Sequence, residues 1–219
     1  MLPSAIRNAI HNAILDAFAV LFPVDCAGCG SPDRAICTVC SAKLNAVVTP
    51  RSAAGLTVFT ALRYEGPVRR ILLALKEQNR TDVAAALARP LAAAIERAVE
   101  LHPNAELLVV PTSKQAYKRR GYDPVRLLTR LSGHRPHRVL AAARNTVVQK
   151  SLGVADRESN LAGAMVPKGR LDGRKFVIVD DILTSGATLR EAARAVRAGG
   201  GEVVGAATLA FTPKVLDFS

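Results

Sequence analysis

Two adjacent carboxylates at the end of an apolar run have the clearest chemical meaning in this sequence. Residues 176–179 have the composition of a buried strand, and Asp180 and Asp181 follow them directly. In open parallel sheets, ligands bind beyond the carboxyl ends of the strands. Ionised carboxylates only accept hydrogen bonds, so an adjacent pair suits two neighbouring hydroxyls, as on a ribose ring, directly or through Mg²⁺.

A short loop rich in hydroxyl groups follows the acids and leads into a predicted helix. It consists of Thr184, Ser185, Gly186, Ala187 and Thr188. Backbone N–H groups at a helix start bind anions, and glycine permits close approach of a ligand. The loop therefore predicts a phosphate beside the diol, which together describe a ribose 5-phosphate. No lysine follows Gly186 as a P-loop would require, and the remaining alternative is an ordinary helix cap beside two solvated acids.

All four cysteines of the chain fall within one short segment. Cys26, Cys29, Cys37 and Cys40 have the spacing C-x2-C-x7-C-x2-C. Two such knuckles present four thiolates at tetrahedral distance, which predicts a closed structural Zn²⁺ site. Disulfides are the alternative, and a reducing compartment disfavours them.

Positive charge is concentrated in one part of the chain. The formal net charge is +12, and residues 114–150 hold ten Lys or Arg against one acid, Asp123. This predicts a polyanionic partner or a phosphate-rich ligand. Because Tyr117 and Tyr122 lie between the cations, the same segment is also a candidate for binding single-stranded nucleic acid. Arginines on solvated helix faces are the simpler alternative.

The order of predicted elements indicates an α/β fold with a mainly parallel sheet and helices on both faces. The apolar periodicity predicts helices at 4–22, 66–78, 81–100 with a possible kink at Pro90, 121–133 and 186–198. It predicts strands at 56–64, 106–110, 137–143, 175–180 and 202–211, with a long functional loop at 144–163. We expect two domains: residues 1–50, with the N-terminal helix and the zinc module, and residues 51–219, with the ligand site.

The chain has no apolar run of the roughly 18 residues that a membrane span needs. Its first twenty residues contain Arg7, His11 and Asp16 within their apolar pattern, unlike a signal peptide. These features predict a cytoplasmic location, and they leave the oligomeric state open.

The motifs together resemble a known family. The stretch "VIVDDILTSGAT" resembles the phosphoribosyl pyrophosphate (PRPP) signature of type I phosphoribosyltransferases. The four-cysteine module, "ALRYEGPVRRILLALKEQ", "VVPTSKQAYKRRGYDPVRLL" and "QKSLGVADRESNLAGAM" are similar to the ComF/GntX branch of that superfamily, named for competence proteins. The resemblance implies the type I phosphoribosyltransferase fold and transfer of a phosphoribosyl group from PRPP with Mg²⁺. The rival hypothesis is a non-catalytic protein of DNA uptake or processing on the same fold, with single-stranded DNA or DNA-uptake proteins as partners.

The resemblance also implies roles for individual residues. Asp180 and Asp181 would bind the ribose hydroxyls, and residues 184–188 would hold the 5-phosphate. The side chains expected near the departing pyrophosphate are Thr112, Ser113, Lys114, Arg119 and Arg120. Lys150 and Arg157 would close over the leaving group and, with the two acids, form the catalytic set. The chain departs from the family pattern at "VVPTS", at "KEQNR" and at Asp123 and Pro124, which replace an amide pair.

Overall fold

The computed structural model describes residues 24–143 and 163–213. The predicted helix 4–22 lies outside these residues, as does all but the last residue of the predicted loop 144–163. The helices are α1 (Thr38–Ala42), α2 (Gly66–Glu77), α3 (Ala84–Leu101), α4 (Lys114–Arg120), α5 (Pro124–Leu131) and α6 (Ala187–Ala198), with a 3₁₀ turn at Thr81–Val83. The strands are β1 (Thr49–Ala53), β2 (Leu56–Arg63), β3 (Glu106–Val109), β4 (Leu140–Ala142), β5 (Met165–Pro167), β6 (Lys175–Leu183) and β7 (Glu202–Phe211).

A five-stranded sheet organises the described chain in the order β1-β2-β7-β6-β3. Strands β2, β7, β6 and β3 run parallel, and only the edge strand β1 is antiparallel. The carboxyl ends of the four parallel strands therefore meet at one edge of the sheet. This confirms the predicted α/β class with a mainly parallel sheet.

Helices cover both faces of this sheet, as predicted. One face packs against α2, α3 and α5 through a core that includes Ile71, Leu91, Leu128 and Val179. The other face packs against α6 through Phe176, Ile178 and Leu189, among others. The alternation of inward-facing residues along β6 assigns successive side chains to the two cores.

The structure corrects several predicted elements. The strand predicted at 137–143 is β4, which pairs with β5 in a separate two-stranded antiparallel sheet. Strand β6 continues to Leu183, past its predicted end at 180, because its pairing with β7 continues to Phe211. The strands β1 and β5 and the helix α4 were not predicted, because all three are short and none shows a clear apolar alternation.

Among the helices that the structure describes, none is long and apolar enough to span a membrane.

Candidate ligand site and metal centre

The acid pair lies on β6 at the edge where the parallel strands end. Asp180 Oδ1 accepts a hydrogen bond from the backbone N–H of Asp181 at 2.8 Å. Burial of the Asp180 carboxyl and the neighbouring charge of Asp181 raise its pKa to about 7, although the Asp181 N–H and Lys76 oppose this shift. The Asp180 carboxyl therefore holds its proton more strongly than an ordinary aspartate does.

Lys76 is a site residue that the sequence analysis did not identify. Its Nζ lies 2.9 Å from Asp181 Oδ2, and both side chains are largely buried, at 22% and 14% exposure. Lys76 is one residue from the C-terminal end of α2, far from the acids in the sequence. The sequence offered no local signal for this contact, which depends on how α2 packs against the sheet.

The loop after β6 has the geometry of an anion-binding turn. Gly186 is the N-cap residue of α6, with φ +78°, and Ser185 Oγ accepts a hydrogen bond from the Ala187 N–H at 3.4 Å. A Cβ placed on Gly186 would lie 3.2 Å from the Cβ of Ala53, so the β1–β2 turn packs directly against the loop. Thr184 and Ser185 are exposed to solvent, as a ligand-binding loop requires.

A basic pocket lies beside the loop that follows β3. The pocket is about 320 Å³ in volume, and Thr112 and Lys114 form part of its wall. Its other cations are Lys118, Arg126 and Arg138. Within the described parts of the chain, no carboxylate forms an ion pair with these four basic side chains. The pocket is therefore suited to a ligand with several negative charges.

The acid in this pocket has a structural role. Asp123 is the N-cap residue of α5 and accepts a hydrogen bond from the Arg126 backbone N–H at 3.0 Å. Ser113 does the same for α4, accepting from the Ala116 N–H at 3.2 Å. Each cap satisfies a backbone donor that the helix itself leaves unpaired. Asp123, which replaces an amide in the family pattern, thus fixes the start of α5.

Arg119 and Arg120 contact the end of α2. Both form ion pairs with Glu77, at 2.7 Å and 2.8 Å. Arg120 also donates to the Lys76 carbonyl, and Tyr122 Oη donates to the Leu75 carbonyl. These contacts connect α4 to the helix that carries Lys76. Of the other predicted site residues, Lys150 and Arg157 lie outside the described residues.

The four cysteines come together as a cluster. The Sγ atoms of Cys26, Cys29, Cys37 and Cys40 all lie within 4.8 Å of one another. Tetrahedral coordination with Zn–S bonds of about 2.3 Å requires sulfurs about 3.8 Å apart, so the cluster fits such an ion.

Backbone N–H groups favour the thiolate form of Cys26. Burial raises its pKa, but donors on Cys37, Gly28 and Cys29 outweigh burial and lower the value to about 6. Burial and the neighbouring thiols instead raise the pKa of Cys40. The donor set and its N–H···S bonds are those of a thiolate metal site.

The cysteine cluster packs on the same helix that supplies Lys76. Arg70 Nε donates to the Gly28 carbonyl, and Arg80 donates to the Asp25 carbonyl at 3.1 Å. A Cβ on Gly28 would lie 3.3 Å from Ile71 Cδ1, which shows how closely the knuckle approaches α2. The cysteine cluster and the acid pair therefore share one helix as a structural support.

Comparison with known protein families identifies the kind of domain that one segment of the chain resembles. Residues 134–216 match the family described as "Phosphoribosyl transferase domain". This segment includes β6, the acid pair, the loop and α6, which together form the candidate ligand site.

Similarity to individual curated proteins indicates the family within this class of domain. The chain is 30% identical over 153 residues to Competence protein F of Haemophilus influenzae, covering 64% of this chain and 66% of that protein. It is 28% identical over 153 residues to DNA utilization protein YhgH of Escherichia coli strain K12, covering 66% and 67%. The match thus spans just under two thirds of Competence protein F. The chain belongs to the ComF/GntX-like family of proteins with a type I phosphoribosyltransferase domain.

Proposed function

We propose that this protein binds PRPP, or a ligand containing ribose 5-phosphate, together with Mg²⁺ and transfers the phosphoribosyl group. The main support for the proposal is the order of functional groups from β6 to α6: two carboxylates, then a loop with hydroxyl groups, then a helix start. Asp180 and Asp181 lie near the end of β6, and the exposed residues Thr184 and Ser185 lead to Gly186, the N-cap residue of α6. The diol would lie on the acids and the 5-phosphate on residues 184–188.

The pyrophosphate would occupy the basic pocket. Lys114, Lys118, Arg126 and Arg138 supply four positive charges at the loop that follows β3, the strand next to β6. These charges would stabilise the leaving group as its bond to the ribose breaks. Thr112 and Ser113 would contribute to the same side of the site, while Arg119 and Arg120 would support it through Glu77. Lys150 and Arg157 would cover the leaving group and exclude water.

Two metal ions have different roles in this proposal. Zn²⁺ would be held by the four cysteines as a structural ion, because four thiolates leave no open coordination position. Mg²⁺ would enter with the pyrophosphate, since Asp181 already has Lys76 as its counter-ion.

We further infer that the chain divides into a module of residues 1–50 and a phosphoribosyltransferase-like domain of residues 51–219, and that it acts in the cytoplasm. This proposed boundary, between residues 50 and 51, lies within the edge strand β1 (Thr49–Ala53).

Ligand-induced stabilisation tests the function. At a PRPP concentration 100 times its dissociation constant, binding should stabilise the fold by about 2.7 kcal/mol, equivalent to a Tm rise of about 5–10 °C. Ribose 5-phosphate should give a smaller rise in Tm. PRPP without added Mg²⁺ should likewise give a smaller rise in Tm. Omitting Mg²⁺ is preferable to adding a chelator, which would also strip the cysteine site. An unchanged Tm with PRPP and Mg²⁺ would reject the function.

A second function is supported by the same basic pocket. Tyr117 lies at the pocket and is 51% exposed, so it offers a ring for stacking beside four cations. The name "DNA utilization protein YhgH" associates that relative with DNA, and the name "Competence protein F" associates the other relative with competence. The alternative function is therefore binding of single-stranded DNA by a protein without transferase activity, in DNA uptake or processing.

Salt dependence distinguishes this alternative. Four phosphate contacts predict a slope of about −3 in log affinity against log salt for single-stranded DNA. The variant Lys114→Met/Lys118→Met should reduce the magnitude of that slope by about 1.4. Arg69→Met on the exposed side of α2 provides the control. A slope unaffected by the double substitution would exclude this pocket as the DNA site.

A further inference from the structure

A second cavity, larger than the basic pocket, lies at the carboxyl ends of β2 and β7. Its volume is about 700 Å³, and its walls come from the segment after the cysteine cluster, from β1 and from the start of α2. Most of its wall is apolar and includes Val47, Leu62, Pro67 and Phe211. A concave site of this size that combines a mainly apolar surface with several polar groups is typical of small-molecule binding.

The charges of the cavity are positive and only partly neutralised. Lys43, Arg51 and Arg63 contribute cations, and Glu65 is its one acid. Arg63 Nε forms an ion pair with Glu65 Oε1 at 2.8 Å. Within residues 24–143 and 163–213, Lys43 and Arg51 have no ion-pair partner. The cavity therefore favours a ligand with one or two negative charges, fewer than the basic pocket with its four cations.

Arg51 is oriented for recognition of a planar anion. Its Cζ lies 3.3 Å from the centroid of the Phe211 ring. This contact holds the guanidinium over the ring, from where its N–H groups can donate two parallel hydrogen bonds to a carboxylate. A flat apolar body attached to that carboxylate would contact Leu62 and Pro67 across the cavity.

The cavity lies one strand from the proposed phosphate loop. Phe211 is the register partner of Leu183, the residue that precedes Thr184. The Thr212 N–H donates to the Leu183 carbonyl at 2.9 Å, so the ends of the two strands are held together. Neighbouring strands are about 4.8 Å apart, so a molecule against Phe211 would lie beside a bound ribose phosphate.

We propose that this cavity binds the acceptor of the transfer, and that the acceptor is an aromatic or heteroaromatic carboxylate with a nucleophilic nitrogen. This inference rests on the proposed function. The nitrogen lone pair would form a bond to C1 of the ribose while the C1–O bond breaks. The electron pair of that bond would leave with the pyrophosphate, and any proton on the attacking nitrogen would pass to solvent.

Direct binding tests the inference without requiring turnover. The probes are 4-aminobenzoate, nicotinate and 2-naphthoate, each beside its neutral amide, titrated into the zinc-loaded full chain with NMR saturation transfer as the readout. At least one carboxylate should bind tenfold or more tightly than its amide. Arg51→Gln should abolish that preference, whereas Arg170→Gln, which removes an exposed arginine elsewhere, should retain it. The Tm of each variant reports on folding.

A variant with both acids replaced separates this inference from the proposed function. Asp180→Asn/Asp181→Asn should lose PRPP binding and keep carboxylate binding. If no carboxylate is preferred over its amide, or if Arg51→Gln binds like the wild type, the cavity is not the proposed site. If the wild type binds a carboxylate but not PRPP, the acceptor role is rejected together with the proposed function.

Discussion

Lys76 Nζ lies 2.9 Å from Asp181 Oδ2, joining the last turn of α2 to the acid pair on β6. The adjacent residue, Glu77, binds Arg119 and Arg120 of α4. The end of α2 thus neutralises one acid of the site and orients the helix that begins the basic segment. Because the cysteine cluster packs on the same helix, the cluster and the acid pair have a common support.

Replacing Lys76 by Met tests this relationship. The substitution leaves the largely buried Asp181 carboxylate without its counter-ion, so we expect a loss of about 1–3 kcal/mol in the free energy of unfolding. Urea unfolding at pH 7.5 measures it. Lys175→Met is the matched control, because its ion pair with Glu202 is exposed and 3.6 Å long, and it should cost less than about 0.5 kcal/mol. Equal losses in both variants would contradict the assigned role.

The raised pKa of Asp180 predicts an unusual dependence of stability on pH. Between pH 4 and about 7, the folded protein retains a proton that the unfolded chain has lost, so this residue lowers stability as pH rises. Asp180→Asn removes the effect. Relative to the wild type, the variant's free energy of unfolding should rise across this window by about 2–4 kcal/mol at most. The difference should become constant above the pKa of Asp180 in the folded protein.

Thermal unfolding of the two proteins from pH 5 to 8.5 measures this difference. Asp172→Asn, at an exposed ion pair with Arg170, should show no comparable trend. A constant difference between Asp180→Asn and the wild type would show that the pKa of Asp180 is not raised.

Gly186 is expected to be intolerant of a side chain. Its φ of +78° disfavours any L residue, and an added Cβ would lie 3.2 Å from Ala53 Cβ. Gly186→Ala should therefore lower stability by about 1–3 kcal/mol and weaken binding of inorganic phosphate. Gly169→Ala has open space around it and serves as the control. If both variants match the wild type in unfolding and phosphate titrations, the loop does not have the proposed geometry.

The cysteine cluster predicts one tightly bound Zn²⁺ per chain. Cys29 is exposed, so Cys29→Ser removes one thiolate with little loss of packing. Elemental analysis should find one zinc in the wild type and much less in the variant, and the variant's Tm should fall because metal binding contributes to folding. Ser31→Ala, a substitution beside the cluster, should retain the metal. Full zinc content in Cys29→Ser would contradict a four-thiolate site.

The sequence was most informative where the site is contiguous. The acids, the loop of residues 184–188 and the four cysteines each occupy a short segment, so their spacing alone predicts the chemistry. The parallel sheet followed equally from the alternation of predicted strands, such as the apolar run of β6, with predicted helices. These features depend on local order along the chain.

Contacts between distant segments were not predictable in the same way. Lys76 reaches Asp181 only because α2 packs over the sheet, and Arg119 and Arg120 pair with Glu77 for the same reason. The edge strand β1 has the polar sequence TPRSA and an exposed face, so it lacks the alternation that marks a strand. The cavity at Arg51 and Phe211 arises from three separate parts of the chain.

Calorimetric titration of PRPP with Mg²⁺ tests the central claim most directly. The zinc-loaded wild type should bind with a stoichiometry of one per chain, and Asp180→Asn/Asp181→Asn should show no binding while it retains zinc and its fold. This result would establish the acid pair as the ribose site. Absence of binding by a folded, zinc-loaded wild type, or equal binding by both proteins, would contradict it.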